Sequence, residues 1–361
     1  MAALRVGVVG GGLIAQAVHV PNLDASAEVA LAAIADPSRI VAEGMAARYG
    51  IPSWHLDWRA MLDAGGLDAI VVCSPHATHA QIVLAAIELG IHCLVEKPLC
   101  IDPADAETIA AAADAAGVVV QIGYMKRYDP AFDLLLAGLP DPDGLRMIDV
   151  TTYDPWMSRE PYVPWGSMLR GDDIPDAVLA EGRLAEARQV GAAVGADDPA
   201  TVRSFSYTFL ACLVHDVNLI HGVLERWGLD AVPVSSAAWA DGKAASAELR
   251  LANGARWRTS WLLLPGLERF EERVRLSFRD QLHTLTFPVP YHETAPTVLE
   301  VLTTAEGAPV DARSSQVSDS YVAELAAFVA AVRGDAGAGR TPALQSVRDL
   351  VVLRDLFRLR E

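Results

Sequence analysis

The sequence predicts an α/β protein: a doubly wound parallel sheet at the N-terminus, then an α+β domain with an open, mainly antiparallel sheet. Three observations predict it. Over residues 1–124, short apolar runs alternate with alanine-rich stretches, the order that gives a parallel sheet covered on both faces. The first run, starting at Val6, ends in Gly10-Gly11-Gly12, a turn suited to lead from strand into helix. Beyond Tyr128 the runs alternate apolar and polar residues, as strands with one buried face do. With 361 residues, 52% of them hydrophobic, the chain can build two sizeable cores.

The remaining strands of the first sheet are read at 29–35, 69–73, 91–95 and 118–122, with helices at 77–89 and 103–116. Asp102-Pro103 is a normal helix opening, because proline lacks only a donor that the first turn cannot use. Gly90 and Gly117 stand where helices end in a left-handed residue. The second domain, 125–361, opens on a helix at 130–139. Strand-like segments follow at 145–153, 232–239, 245–251, 256–264, 270–278 and 282–287, with a long helix at 209–227. Terminal helices are expected at 319–333 and 342–359, the last packing back on the first domain. Residues 155–206 interrupt this order with Pro155, Trp156, Met157, Tyr162, Trp165 and Met168, then a helix near 176–194. An insertion of this length is often a lid or binding loop.

Gly10, Gly12 and Ala15 fit the G-x-G-x-x-G/A pattern of dinucleotide-binding folds. Gly10 permits the tight turn, Gly12 lets the backbone approach a pyrophosphate, and Ala15 lets helix and strand pack closely. The helix start at Leu13 and Ile14 offers N–H groups and a positive dipole end to the phosphates. Asp36 closes the second strand, where an acid can accept hydrogen bonds from the adenosine ribose. Alternatively it caps the helix starting near Pro37-Ser38. Its charge would repel a 2′-phosphate, whereas Arg39 could welcome one; the balance favours NAD over NADP.

A net charge of −17 and no basic patch argue against a nucleic-acid partner or an anionic membrane surface. No continuous apolar run reaches bilayer-spanning length, and no cleavable leader precedes the first strand. The four cysteines show neither metal nor redox spacing. A cytoplasmic protein with free, mostly buried thiols is expected.

Two further loops lie at C-terminal strand ends, where open α/β sheets bind ligands. One is Ser74-Pro75-His76-Ala77-Thr78-His79; the other is Glu96-Lys97-Pro98. Lys97 can serve as a proton donor or acceptor, or it can be a surface lysine paired with Glu96. His76 and His79 share a helix face but lack a third ligand, so cofactor contact or capping is expected and no metal. The turn lacks a P-loop ending, and no serine-hydrolase elbow is present.

These motifs, with Tyr124-x-x-Arg127-Tyr128-x-Pro130, occur in an order and spacing that resembles the glucose-fructose oxidoreductase, inositol dehydrogenase and MocA (Gfo/Idh/MocA) family. The resemblance implies an N-terminal Rossmann domain, a β-rich substrate domain and NAD(P)-dependent dehydrogenase activity. It places Lys97 beside the nicotinamide and the substrate hydroxyl. It also implies an Asp-x-x-x-His pattern on the long helix, whose histidine shares proton transfer with the lysine. His215 matches that histidine, but Ala211 replaces the aspartate and Asn218 stands where a second aspartate often occurs. Asp216 is an alternative partner for His215. His221 lies about 240° further round the helix and is not expected in the site.

The expected reaction moves hydride between a secondary alcohol of a sugar, sugar derivative or cyclitol and nicotinamide, with Lys97 and His215 moving the proton. The cofactor set is Gly10, Gly12, Leu13, Ile14, Asp36, Arg39, Ser74, Pro75, His76, His79, Glu96 and Lys97. The substrate set is Lys97, Tyr124, Arg127, Trp156, Trp165, Asp172, His215 and Asp216. A homo-oligomer, dimer or tetramer, is expected through the C-terminal sheet. Alternatives are a glycoside-cleaving enzyme working by transient oxidation and elimination, and an NAD-binding sensor without turnover, which Ala211 would suit.

Overall fold

The computed structural model describes residues 2–156, 163, 165–290, 295–305, 308–316, 319–335 and 337–360. The chain begins β1 (Leu4–Val9), a π-helical turn (Ala15–His19) continuing into α1 (Val20–Ala25), β2 (Val29–Ala35), α2 (Arg39–Tyr49), β3 (Trp54–His55) and α3 (Trp58–Asp63). Then come β4 (Ala69–Val72), α4 (His76–Glu88), β5 (His92–Glu96), α5 (Pro103–Ala116), β6 (Val120–Gly123), α6 (Pro130–Gly138) and β7 (Leu145–Asp154). After these lie α7 (Asp176–Val194), α8 (Pro199–Arg203), a π-helical stretch (Ser204–Leu213) and α9 (Val214–Trp227). The rest is β8 (Ala231–Trp239), β9 (Ala244–Leu251), β10 (Arg256–Leu263), β11 (Glu271–Phe278), β12 (Gln281–Phe287), β13 (Thr297–Ala305), β14 (Ala308–Gln316), α10 (Ser320–Val332) and α11 (Ala343–Leu359).

These elements form two units. The first comprises 1–123, 164–197 and 324–348; the second comprises 124–163, 198–323 and 349–361. The first unit carries a parallel sheet in the order β3-β2-β1-β4-β5-β6. Its register sets Val9 opposite Ala35 and Val72, and Val72 opposite Val95. Gly10, Asp36, Cys73 and Glu96 therefore end their strands at one edge. Val6, Val8, Ile34, Val71 and Leu94 are buried in the core, together with Leu325, Phe328 and Val329 of α10. Each such side chain is worth about 1.5–3 kcal/mol of burial. Ser38, Asp57 and Asp102 cap α2, α3 and α5, and Gly50 and Gly117 end α2 and α5 in the left-handed conformation.

The inserted segment does not belong to the second domain as a block. Residues 164–197 fall in the first unit and 198–206 in the second. The reason is local anchoring: α7 buries Val190 and Ala193, and Gln189 donates to Ala77 O of α4 at 2.8 Å.

The second unit carries an eight-stranded sheet in the order β14-β13-β12-β11-β7-β10-β9-β8. Among the described strands of this sheet, only β7 and β10 pair with each other in parallel. Alternate residues point inward, as at Trp257, Thr259 and Trp261 of β10 or Val274, Leu276 and Phe278 of β11. β13 and β14 were not expected from the sequence; β14 is an edge strand whose short apolar alternation, Ala308, Val310 and Ala312, gives way to serines. The long helix begins earlier than expected, because Pro199–Trp227 is continuously helical. Contrary to expectation, this stretch is long and apolar enough to cross a bilayer by composition, but 78% of its apolar window is buried within the protein. It is built as a core helix.

Candidate active site

Gly10 could be no other residue. Its φ is +90°, and a Cβ there would lie 2.8 Å from Cys73 C and O and from Ser74 N. At Gly11 a Cβ would fall 2.4 Å from Val41 Cγ1. Gly12 is exposed, and nothing lies within 4 Å of its missing Cβ. The glycines therefore let three loops converge and leave one open backbone position. Leu13 and Ile14 follow, half-buried, and Ala15 is fully buried where α1's approach meets the sheet.

Asp36 is tied to this turn. Its Oδ2 accepts from Gly11 N and its Oδ1 from Ser38 N, each at 2.8 Å. The cap of α2 is Ser38, whose Oγ accepts from Val41 N, so Asp36 is left to face the glycine turn. Burial pushes its carboxyl up; the two N–H groups pull it down, and the charge of Asp173 adds to the rise. Arg39 lies along its own helix, 5.0 Å over the Trp54 ring and 3.9 Å from Glu43. An open glycine, a helix start and an acid closing β2 fit a dinucleotide, with Gly10, Gly12, Leu13, Ile14 and Asp36 as the residues that would hold it.

At the same edge, His79 is fully buried beneath two loops. Its Nδ1 lies 2.9 Å from Pro98 O and its Nε2 2.7 Å from Ser74 O. A neutral ring can donate to only one of these. His79 thus joins the Ser74-Pro75 loop to the Lys97-Pro98 loop from below. Burial lowers its pKa against the pull of both carbonyls. His76 packs edge-on to it at 5.8 Å and is held well below its ordinary pKa by burial, then by the charges of His79 and Lys97.

Glu96 pairs with His19 of the π-helical turn, Oε1 to Nε2 at 2.6 Å, and its Oε2 accepts from Lys97 N at 3.2 Å. Burial raises the Glu96 carboxyl, but His19, Lys97 and His79 outweigh it and hold it below its ordinary value. Lys97 is half-buried. Its charge acts on a neutral His76 and an ionised Glu96. Cys73 is no nucleophile at neutral pH: burial, then Glu96 and Glu324, push its thiol well up.

In the second unit, Arg127 and Asp216, expected among the substrate contacts, are both buried. Arg127 donates to Glu225 Oε2 at 2.8 Å and Asn218 O at 3.2 Å, and its guanidinium fills the space left by Gly222. It clamps α9. Asp216 is 2% exposed, accepts from Thr259 Oγ1 at 2.7 Å, and is pushed up to about 7 by burial and by Glu272, against Lys126. Lys126 and Glu272 form a buried pair. Asp349 accepts from Asn218 Nδ2 at 2.8 Å and pairs with His221 at 2.5 Å, so both helix residues serve the interior. His215 is half-buried and Tyr124 buried. Trp156 is exposed at φ 70°, and Asp172 is exposed. Trp165 opens a short helical turn, with its side chain outside what the structure describes; Met157 and Tyr162 lie outside the described residues.

Sequence reasoning missed Gln16, Asp173, Lys126, Thr259, Glu272 and Asp349. Gln16 Nε2 donates to Gly11 O at 2.7 Å and Leu169 O at 2.9 Å, and its Oε1 accepts from Leu169 N. None of these residues belongs to a local motif.

The parallel sheet with its glycine turn defines a Rossmann domain of the dinucleotide-binding kind. Residues 4–124 match the model of the oxidoreductase family with an NAD-binding Rossmann fold, Gfo/Idh/MocA. The chain is 34% identical over 115 residues to scyllo-inositol 2-dehydrogenase (NAD(+)) of Bacillus subtilis (strain 168), covering 32% of this chain and 34% of the relative. It is 37% identical over 145 residues to inositol 2-dehydrogenase of Paracoccus denitrificans (strain Pd 1222), covering 39% and 43%. The chain thus spans roughly a third to two-fifths of the length of these curated relatives. The structure of UDP-N-acetylglucosamine 3-dehydrogenase GnnA from Acidithiobacillus ferrooxidans matches with TM-score 0.72 and 20% identity over 99% of this chain and 97% of that one. That likeness shows a shared fold across both units.

Proposed function

We propose that the chain is an NAD-dependent oxidoreductase acting on a secondary alcohol of a sugar, sugar derivative or cyclitol. The observation that carries this reading is the corner made by Gly10, Gly12 and Asp36 beside the Glu96-Lys97 loop. The curated relatives named as inositol dehydrogenases support a cyclitol as the first substrate to try. A bound nicotinamide supplies the hydride acceptor. Lys97, in its neutral form, takes the hydroxyl proton and becomes the ammonium, aided by His215. Ionised Glu96 and neutral His76 set the field around Lys97. Ser74 and Pro75 line the cofactor edge, and Tyr124, Trp156, Trp165 and Asp172 are the proposed substrate contacts. Arg127 and Asp216 hold the helix that carries His215. A cytoplasmic homo-oligomer is part of the same proposal.

The test is a nucleotide titration followed by a polyol and inositol panel read at the NADH absorbance. Substrate-dependent NADH formation supports the reading. Product without net NADH supports the glycoside-cleaving alternative, and tight NAD binding without turnover across the panel supports a sensor, for which Ala211 is the motivating residue.

A further inference from the structure

A second carboxylate sits at the nucleotide corner. Asp173, from the segment between Ser167 and α7, accepts from the Ser38 hydroxyl and from Ile40 N, the latter at 3.2 Å. Ile40 N is a first-turn donor of α2, at the positive end of the helix dipole. Asp36 takes Gly11 N and Ser38 N. Between them the two acids engage four donors that a phosphate group at this corner would need. The Ser38 hydroxyl, together with the α2 N–H groups, holds the Asp173 carboxyl below its ordinary range.

The segment bearing Asp173 is pinned. Arg48 Nη2 donates to Ser167 O at 3.1 Å, and Gln16 bonds both the N–H and the carbonyl of Leu169 at 2.9 Å. Leu169 lies on Gly44, where a Cβ would fall 2.7 Å from its Cδ1, and a Cβ on Gly171 would fall 3.3 Å from Ser38 Cβ. These contacts fix Asp173 over the start of α2.

A ribose 2′-hydroxyl can donate to a carboxylate; a 2′-phosphate cannot, and it brings about −1.5 to −2 of charge. Arg39, the cation that could balance that charge, is drawn along α2 towards Trp54 and Glu43. We propose that Asp173 is a cofactor-specificity residue, its carboxylate occupying the anion position at the start of α2 and excluding a 2′-phosphorylated dinucleotide. The proposal rests on the reading that this chain binds a nicotinamide dinucleotide.

The experiment is calorimetric titration of the full chain with NAD+ and NADP+ at low and high salt. Wild type, Asp173→Asn and Asp173→Ala are compared, with thermal unfolding as a check of fold. Asp173→Asn keeps the shape of the side chain, so the test stands even if Asp173→Ala unfolds. Wild type should bind NAD+ at least about tenfold more tightly than NADP+, a preference that narrows at high salt because Asp173 is exposed. Asp173→Asn should improve NADP+ affinity about tenfold and change NAD+ affinity less than about threefold. Unchanged NADP+ affinity in folded variants that still bind NAD+ overturns this proposal alone. Failure of folded wild type to bind NAD+ overturns the cofactor reading and the proposal with it.

Discussion

Glu96 and His19 form a buried 2.6 Å hydrogen bond that joins the π-helical turn after the glycine loop to the strand end carrying Lys97. The pair connects the two motifs from which function is read, and its loss should register in stability. Glu96→Gln should destabilise the protein by about 1.5–3 kcal/mol at pH 7, as removal of a charged hydrogen bond does. Glu96 has a depressed folded pKa, so its contribution is complete above its unfolded pKa and fades as pH falls through the lower folded value. Urea unfolding at pH 7 and near pH 3.5 should show the gap between wild type and variant shrinking. An equal gap at both pH values would exclude this origin.

Asp36→Ala should weaken NAD+ binding tenfold or more, because a charged hydrogen bond to the ribose is worth roughly 1.5–3 kcal/mol. It should also relax discrimination against NADP+. The Gly11 and Ser38 N–H groups lose their acceptor, so a modest drop in thermal midpoint should accompany the loss. Unaltered NAD+ affinity would remove Asp36 from the nucleotide site.

Lys97→Ala and His215→Ala should each lower turnover by about 10²–10⁴-fold while NAD+ still binds. The double variant should lose less than the product of the two losses if they serve one proton relay. Wild-type turnover in His215→Ala, with the true substrate in hand, would leave Lys97 to act without it.

Asp216 makes a pH-dependent prediction of opposite sign to Glu96. Its folded pKa is raised to about 7, so the folded state binds the proton more tightly than the unfolded one. Stability should therefore fall as pH rises from about 4 to 7, by at most about 1.4 kcal/mol per pH unit. Asp216→Asn keeps an acceptor for Thr259 and should remove this slope. Its stability relative to wild type should climb across that window. A flat difference would show that Asp216 stays ionised beside Lys126.

What could be read from the sequence was what is local in it. Gly10, Asp36, the caps at Asp102 and Gly117, and the Glu96-Lys97 loop are short-range patterns whose chemistry follows from neighbours. Asp173 was missed although Asp172 beside it was named, because Ser38 and Asp173 meet only through the fold, 135 positions apart. Gln16 and Leu169 are 153 apart and carry no motif. Arg127 and Asp216 were singled out in the sequence, but their partners Glu225 and Thr259 could not be, since sequence does not say which side chains meet across the fold. β14 carries only the small apolar residues Ala308, Val310 and Ala312 in alternation before its serines, a weak strand signal, because an edge strand needs to bury little.

The first unit is not a continuous stretch of chain, and this has a consequence for how the protein is made. Phe328 and Val329 complete the core around Val6, Val8 and Ile34, yet they emerge from the ribosome roughly 200 residues after Gly123. At about 5–20 residues per second, the nascent sheet waits ten seconds or more for its last apolar partners. During that interval its exposed face is a natural client for a chaperone. A nascent chain halted just before α10 should be more protease-sensitive in residues 1–123 than one halted after it.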